Sequence, residues 1–275
     1  MKKIWLTGAL LAAFSASAHE FWMMPDRFLL PVREPVSLAL LVGENFVGEA
    51  APFGLSLVAS LTLHTTAGAQ DLRAVVPTEV PQVRVPMAFA QTGTHLLSLE
   101  THPRTIELSP DKFTAYLREE GLERVIAQRE ALGQSAAPGR ERFRRHVKTL
   151  LSVGGVSDAS YGVRTNQLLE LLPLANPQAG LADGASFMSL PMQLLFDGKP
   201  LAGALVKAWH QGENQVTVLR ARTDALGRFT HHLPWSGVWM LSVVHMVPVT
   251  GEPGVDWDSH WGNLTFELPA KASTR

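Results

Sequence analysis

The sequence predicts a mainly β protein made of two β-sandwich domains, with a helical insertion in the first. Three observations predict it. Short runs of aliphatic and β-branched residues recur between Pro and Gly clusters over residues 21–100, and again over 189–268. From Ser109 to Val153 the apolar residues recur at helical spacing instead. A stretch rich in Gly, Ala, Pro and Asn, residues 176–188, then reads as a linker.

The first element is a leader. Met1 to Ala18 begins with Lys2 and Lys3, continues with apolar residues from Ile4 to Phe14, and ends in Ala16-Ser17-Ala18. A basic start, a short apolar run and a small-residue cleavage site define a signal peptide over residues 1–18. The apolar run is about half of the ~20 residues that a bilayer-spanning helix needs. No later segment is apolar for long enough, so the chain is not expected to span a membrane. Cleavage after Ala18 makes His19 the first mature residue and the periplasm the expected location.

In the first domain, residues 19–175, strands are expected over 36–42, 55–65, 82–87, 94–100 and 168–174. Ser109-Pro110 is an N-cap followed by Pro at the first helical position, with Phe113, Tyr116 and Leu117 at helical spacing behind it. Gly121 breaks that helix. A second helix is expected over 122–132 and a third over 140–151, closed by Gly154-Gly155. The insertion therefore covers 109–153. The second domain, residues 189–268, starts with a strand over 191–196 that runs into an Asp197-Gly198 hairpin turn. Strands over 204–210, 239–246 and 264–268 and a turn at Thr223–Phe229 complete it. About seven short strands in this length suit an immunoglobulin- or transthyretin-like sandwich. Residues 269–275 form a tail.

Composition narrows the chemistry. The chain has 275 residues, 24 basic and 25 acidic side chains, and a net charge of −1, with no basic excess for nucleic acid. It has no cysteine, which excludes disulfides, thiolate metal sites and cysteine nucleophiles. No Gly-x-Ser-x-Gly, phosphate-loop or dinucleotide motif is present.

Histidine is the residue type with spare chemistry, and there are ten. None of them forms a sequence-local zinc motif, so a site has to be assembled in space. His19 is the first candidate, because a terminal histidine offers an α-amine and an imidazole to one metal ion. Its plainer reading is packing beside Phe21 and Trp22. His245 follows, since alternation places it with Leu241 and Val243 on the apolar face of a strand, where an imidazole needs a hydrogen-bond partner or a metal. Its plainer reading is a satisfied core histidine. His260, Asp256 and Asp258 lie in one polar and aromatic segment and are candidate further ligands; a solvated loop is the plainer reading of each. Met246 and the Met23-Met24 pair are weaker candidates, as most methionines are core. His231 and His232 point to opposite faces of a strand, so at most one of them faces a site. His95 and His102 flank a strand end. Arg140, Arg144 and Lys148 share one face of the expected third helix, where a solvated face paired with Glu119, Glu120 and Glu123 is the default.

Several segments resemble one known family. HEFWMMPDRF after the leader, LLVGEN, IELSPDKFTAYLREEGLERVIAQRE, LLFDGKPLAGALVKA with TDALGRF, and VHMVP with DWDSHWGNLTFEL are similar to the periplasmic family called domain of unknown function 4198. The resemblance spans essentially the whole mature chain. It implies a secreted β-rich protein that ends in an immunoglobulin-like module and handles metal, since the family is often labelled as nickel or cobalt uptake-associated.

The expectation is a periplasmic metal-binding protein, not an enzyme, that holds nickel, cobalt or copper, with zinc also compatible. His19 and His245 would be the main ligands, and His260, Asp256 and Asp258 the further ones. Its partners would be the metal ion and a membrane metal transporter. Two competing readings stand beside it. One is a copper-dependent oxidative enzyme with an N-terminal histidine brace. The other is a structural or adhesion module that binds no metal.

Overall fold

A computed structural model describes residues 19–78, 82–180, 185–212 and 215–270. The expected leader, most of the tail and the middle of the expected linker lie outside these residues.

The protein is mainly β. The first strands are β1 (Glu20–Pro25), β2 (Leu29–Leu30), β3 (Val36–Glu44), β4 (Val47–Ala51), β5 (Val58–Thr65), β6 (Gly68–Asp71), β7 (Arg84–Met87), β8 (Gly93–Thr101) and β9 (Arg104–Leu108). Helices α1 (Pro110–Glu119) and α2 (Glu123–Ala131) follow. The chain returns to strand with β10 (Gly139–Val153), β11 (Leu169–Pro173), β12 (Met188–Phe196), β13 (Lys199–Pro200) and β14 (Leu205–Gln211). It ends with β15 (Val216–Arg222), β16 (Arg228–Leu233), β17 (Gly237–Pro248) and β18 (Trp257–Leu268).

One sheet organises the molecule. Its main path runs β15-β14-β17-β18-β10-β8-β5-β6, with β2 and β9 also on β10. Strand β10 from the first half and β18 from the second pair in parallel, from Glu141 opposite Trp257 to Thr149 opposite Thr265. The sheet is thus continuous across the expected linker. A second sheet, β1-β3-β4 with β7, covers one face; Phe21, Met23, Leu38 and Leu40 pack there with Leu97, Leu99, Val147 and Leu151. A third, β11-β12-β13 with β16, covers the other face; Leu171, Met192 and Leu194 pack there with Leu150, Leu241, Val243 and Leu264. The two helices pack Phe113, Tyr116, Leu117 and Val125 onto Val244, Met246, Trp257 and Trp261. By strand alternation those four lie on the β1 side of the large sheet.

Two expectations are corrected here. The segment expected as a third helix, 140–151, is the central part of strand β10. Its apolar positions Val147, Leu151 and Val153 are buried on one face at a spacing of two, with Leu150 on the other. Pairing with β18, β8 and β9 satisfies its backbone and outweighs a weak helical preference. Strand β11, expected in the first domain, pairs with β12 of the second. The expected hairpin turn is present: Asp197 and Gly198 both have positive φ, 50° and 70°, and join β12 to β13.

Candidate functional site

Four side chains form a row across four adjacent strands of the large sheet. They are Glu100 on β8, His146 on β10, His260 on β18 and His245 on β17. His245 and His260 face each other directly in the β17–β18 register. His146 lies opposite Gly262, which has no side chain to separate it from His260.

The row is hydrogen-bonded. Glu100 Oε1 lies 2.7 Å from His146 Nδ1, and His146 Nε2 lies 3.1 Å from His260 Nδ1. An ionised carboxylate only accepts, so His146 Nδ1–H donates to Glu100. In neutral His146 the Nε2 lone pair then faces His260, whose Nδ1–H donates to it. The two rings stack with centroids 5.3 Å apart. Both histidines are buried, whereas the Glu100 side chain is 38% exposed. Phe196, at the end of β12, sets its ring edge against both His245 and His260, at centroid distances of 4.4 and 5.1 Å.

Burial keeps two of these imidazoles neutral. It lowers His260 to about 3, and the nearby charge of Arg144 adds to the effect. It lowers His245 to about 4, assisted by Arg124. Neutral imidazole is the form that ligates metal. Two nitrogens bound to one ion at 2.0–2.1 Å stand about 2.9–3.4 Å apart for bond angles of about 90–110°. The 3.1 Å between His146 Nε2 and His260 Nδ1 falls in that range. Among the described residues, no group of three or more His, Asp or Glu side chains is placed to hold a metal ion.

The expected site residues are partly brought together. His245 and His260 share the row. His19 does not join them, which corrects the expected His19–His245 contact. Strand β1 lies on the other face of the sheet. Arg145 donates to the His19 carbonyl at 2.6 Å, Asn263 to that of Phe21, and Thr265 to that of Met23 at 2.9 Å. Arg145, Asn263 and Thr265 alternate with the positions that carry His146 and His260, so they point the opposite way. The His19 ring lies 3.5 Å from Glu44 instead. The histidine brace expected for a copper enzyme is therefore not assembled from His19 and His245.

Asp256 and Asp258 are engaged by arginine, contrary to their expected part in a ligand set. Arg140 binds Asp256 through two hydrogen bonds, at 2.6 and 2.9 Å, and holds its carboxyl below the usual range. Arg142 grips Asp258 at 2.7 and 3.1 Å and also reaches Glu252. Burial pushes Asp258 up, but Arg142 outweighs it and the carboxyl stays low. Arg140, Arg142 and Arg144 thus pair with Asp256, Glu252 and Asp258, and Lys148 pairs with Glu170 of β11, not with Glu119, Glu120 and Glu123. Glu120 instead binds the buried Lys207 and Glu123 binds Arg222.

Met23 is fully buried core, and Met246 is buried under the helices. His231 is buried and His232 exposed, as alternation requires. His95 is buried against Phe89. Sequence reasoning missed Glu100 and His146. The signal for His146 was the alternation in β10, which puts it on one face with Arg142, Arg144 and Lys148.

No curated protein matches the sequence. Among solved structures, the D0-D1 domain of intimin is similar at 13% identity and a TM-score of 0.22, covering 89% of this chain and 96% of that one. Trypsin-activated alpha-2-macroglobulin from Escherichia coli is similar at 12% identity and a TM-score of 0.22, over 91% of this chain and 16% of that one. A Salmonella alpha-2-macroglobulin mutant gives 12% identity and 0.20, over 90% and 14%. Scores this low carry no argument about this protein. The family described as Domain of unknown function (DUF4198) matches residues 16–247, and the chain belongs to that family.

Proposed function

We propose that this protein is a periplasmic metal-binding accessory, not an enzyme, that holds a divalent late transition metal for a membrane transporter. The ion sits between His146 Nε2 and His260 Nδ1 in place of their shared proton, and His245 turns from Phe196 to supply a third nitrogen. The observation that carries this reading is the 3.1 Å separation of two buried imidazole nitrogens, one of them backed by a carboxylate. A carboxylate on the far nitrogen of a ligating histidine fixes its tautomer and raises its basicity. All-nitrogen sites without thiolate suit copper, nickel, cobalt and zinc. In fold, the β1 and β12 sheets are the outer leaves of two immunoglobulin- or transthyretin-like sandwiches that share the large sheet, and α1 and α2 are the insertion.

Calorimetric titration of the chelator-treated protein with Cu(II), Ni(II), Co(II) and Zn(II) tests this. One ion per chain is expected for at least one metal, with affinity at least tenfold lower in His146→Ala and in His260→Ala. Stoichiometric binding that neither variant weakens would place the metal elsewhere. No binding at all would leave the structural or adhesion module.

A further inference from the structure

A cavity of about 340 Å³ lies at the β6 edge of the large sheet. One wall is the β5–β6 hairpin, and the other is the segment 88–91 between β7 and β8. Leu63 and Phe89, both buried, supply its apolar surface. Both belong to the core beneath β1 and β3, so the cavity opens on the face opposite the histidine row. The gap exists because the residues around it are short: Ala67, Gly68, Ala88 and Ala90. Its volume is at the small end of the range for ligand pockets, roughly 300–1,000 Å³.

Thr65, Gln70, Gln91 and His95 bring polar groups, and among the described residues no charged side chain lines the cavity. The Gly93 carbonyl lies 3.3 Å from His95 Nδ1, so Nδ1–H donates to it. In the neutral ring, Nε2 then carries a lone pair and points away from that backbone. Phe89 meets the imidazole in a T-shaped contact at 4.9 Å and holds its orientation. Burial lowers the imidazole below its usual range, so the ring stays neutral. Thr65 Oγ1 accepts from the Ala67 N–H at 3.2 Å, which leaves its own proton to donate. Gln70 and Gln91 are exposed, and each adds an amide that both donates and accepts.

We infer that this cavity binds a neutral polyol the size of one sugar ring, with a hydroxyl donating to His95 Nε2 and others meeting the Gln70 and Gln91 amides. Hydroxyls donate and accept at once, which complements a lining of amides, a hydroxyl and an imidazole. A charged ligand would lose its hydration without finding an opposite charge. An apolar ligand would cover His95 Nε2 and leave a buried acceptor unpaired. The cavity shares no residue with the proposed metal site and needs no metal.

The test is an NMR titration of the full chain with glucose, galactose and N-acetylglucosamine, and with glucuronate and glucosamine as charged relatives. At least one neutral sugar should bind saturably at millimolar concentration or below. The His95 Nε2 resonance should shift on binding while Nδ1 stays near its starting value. Glucuronate and glucosamine should bind at least about tenfold more weakly. Gln91→Ala, at an exposed position, should weaken the sugar about two- to tenfold, the worth of one hydrogen bond. Ala90→Trp, also exposed, fills the cavity and should abolish binding. Gln128→Ala on α2 should change nothing. His146→Ala should leave the sugar bound while it removes the proposed metal site, so the two readings fail separately. No saturable binding of any of the three neutral sugars would overturn the inference. So would charged relatives that bind as tightly, an unmoved His95 Nε2 signal, or full binding in Ala90→Trp.

Discussion

His146 Nε2 faces His260 Nδ1 at 3.1 Å, from strands that are 114 residues apart in the chain and paired in parallel. The contact is held from behind by Glu100, 2.7 Å from the other nitrogen of His146. Glu100→Gln keeps the shape but removes the charge that fixes the His146 tautomer. Outer-shell losses of this kind typically cost about 10–100-fold in metal affinity. Glu100→Gln should therefore weaken the proposed metal binding by that factor, measured by competition with a chromophoric chelator. Because the Glu100 side chain is 38% exposed, thermal stability should change little. An unchanged affinity would mean that His146 is not a ligand.

The placement of His19 gives a second prediction. Its carbonyl is bound by Arg145 on the face opposite the histidine row, and its ring lies beside Glu44. One extra residue before His19 would block any chelate made by a mature α-amine without touching the row. Metal affinity should stay within about twofold of the parent. A loss of tenfold or more, read by the same competition assay, would return the site to the N-terminus.

Much of the β architecture was legible because local pattern and tertiary environment agree there. Leu241, Val243 and His245 alternate onto one face in the sequence, and in the structure Leu241 and Val243 join the core beneath β12 while His245 meets Phe196. Ser109-Pro110 starts α1 as expected. Strand β10 was not legible as a strand. Arg140, Arg144 and Lys148 suit one face of a helix, and Arg140, Arg142, Arg144, His146 and Lys148 equally suit one face of a strand. Only pairing with β18, more than a hundred residues away, decides between them. That pairing also turns Asp256 and Asp258 from candidate ligands into partners of Arg140 and Arg142. The row was hidden for the same reason. Its members come from four separate segments, and no spacing within any one of them announces a site.

Lys148 and Glu170 form a buried ion pair of 2.6 Å, each side chain 1% exposed. Lys148 also donates to the Leu171 carbonyl, which ties β10 to β11. Burial pushes the Glu170 carboxyl up, but the Lys148 charge and hydrogen bonds from Lys148 and Thr165 bring it below its usual range. Lys148→Met would leave the buried Glu170 with only Arg164, 3.8 Å away, and the Thr165 hydrogen bonds. Removing one partner of a buried pair typically costs about 3–5 kcal/mol. Urea denaturation should show a loss of that order. The double variant Lys148→Met with Glu170→Leu should recover most of it, since an apolar pair of similar volume replaces both charges. A single variant as stable as the parent would show that the pair is not buried as described.

The carboxylate next to His19 should act on stability through pH. Glu20 is buried near Lys207, 3.6 Å away, and Glu120 shares the same lysine at 2.8 Å. Burial raises the Glu20 carboxyl from 4.5 to about 7; Lys207 opposes the rise and Glu120 adds to it. A carboxyl that holds its proton more tightly when folded favours the folded state while both states are protonated. That advantage is fully present below about pH 4.5 and is lost as pH rises to about 7. At about 1.4 kcal/mol per pH unit, the loss is on the order of 3 kcal/mol. Glu20→Gln removes the ionisation and keeps the shape. Relative to the parent, the variant should gain stability steadily between pH 5 and 7 and then hold a constant margin above about pH 7.5. Urea midpoints measured across this range check it. Parallel curves for the two proteins would mean that Glu20 titrates normally and that the Glu20–Lys207–Glu120 cluster is open to water.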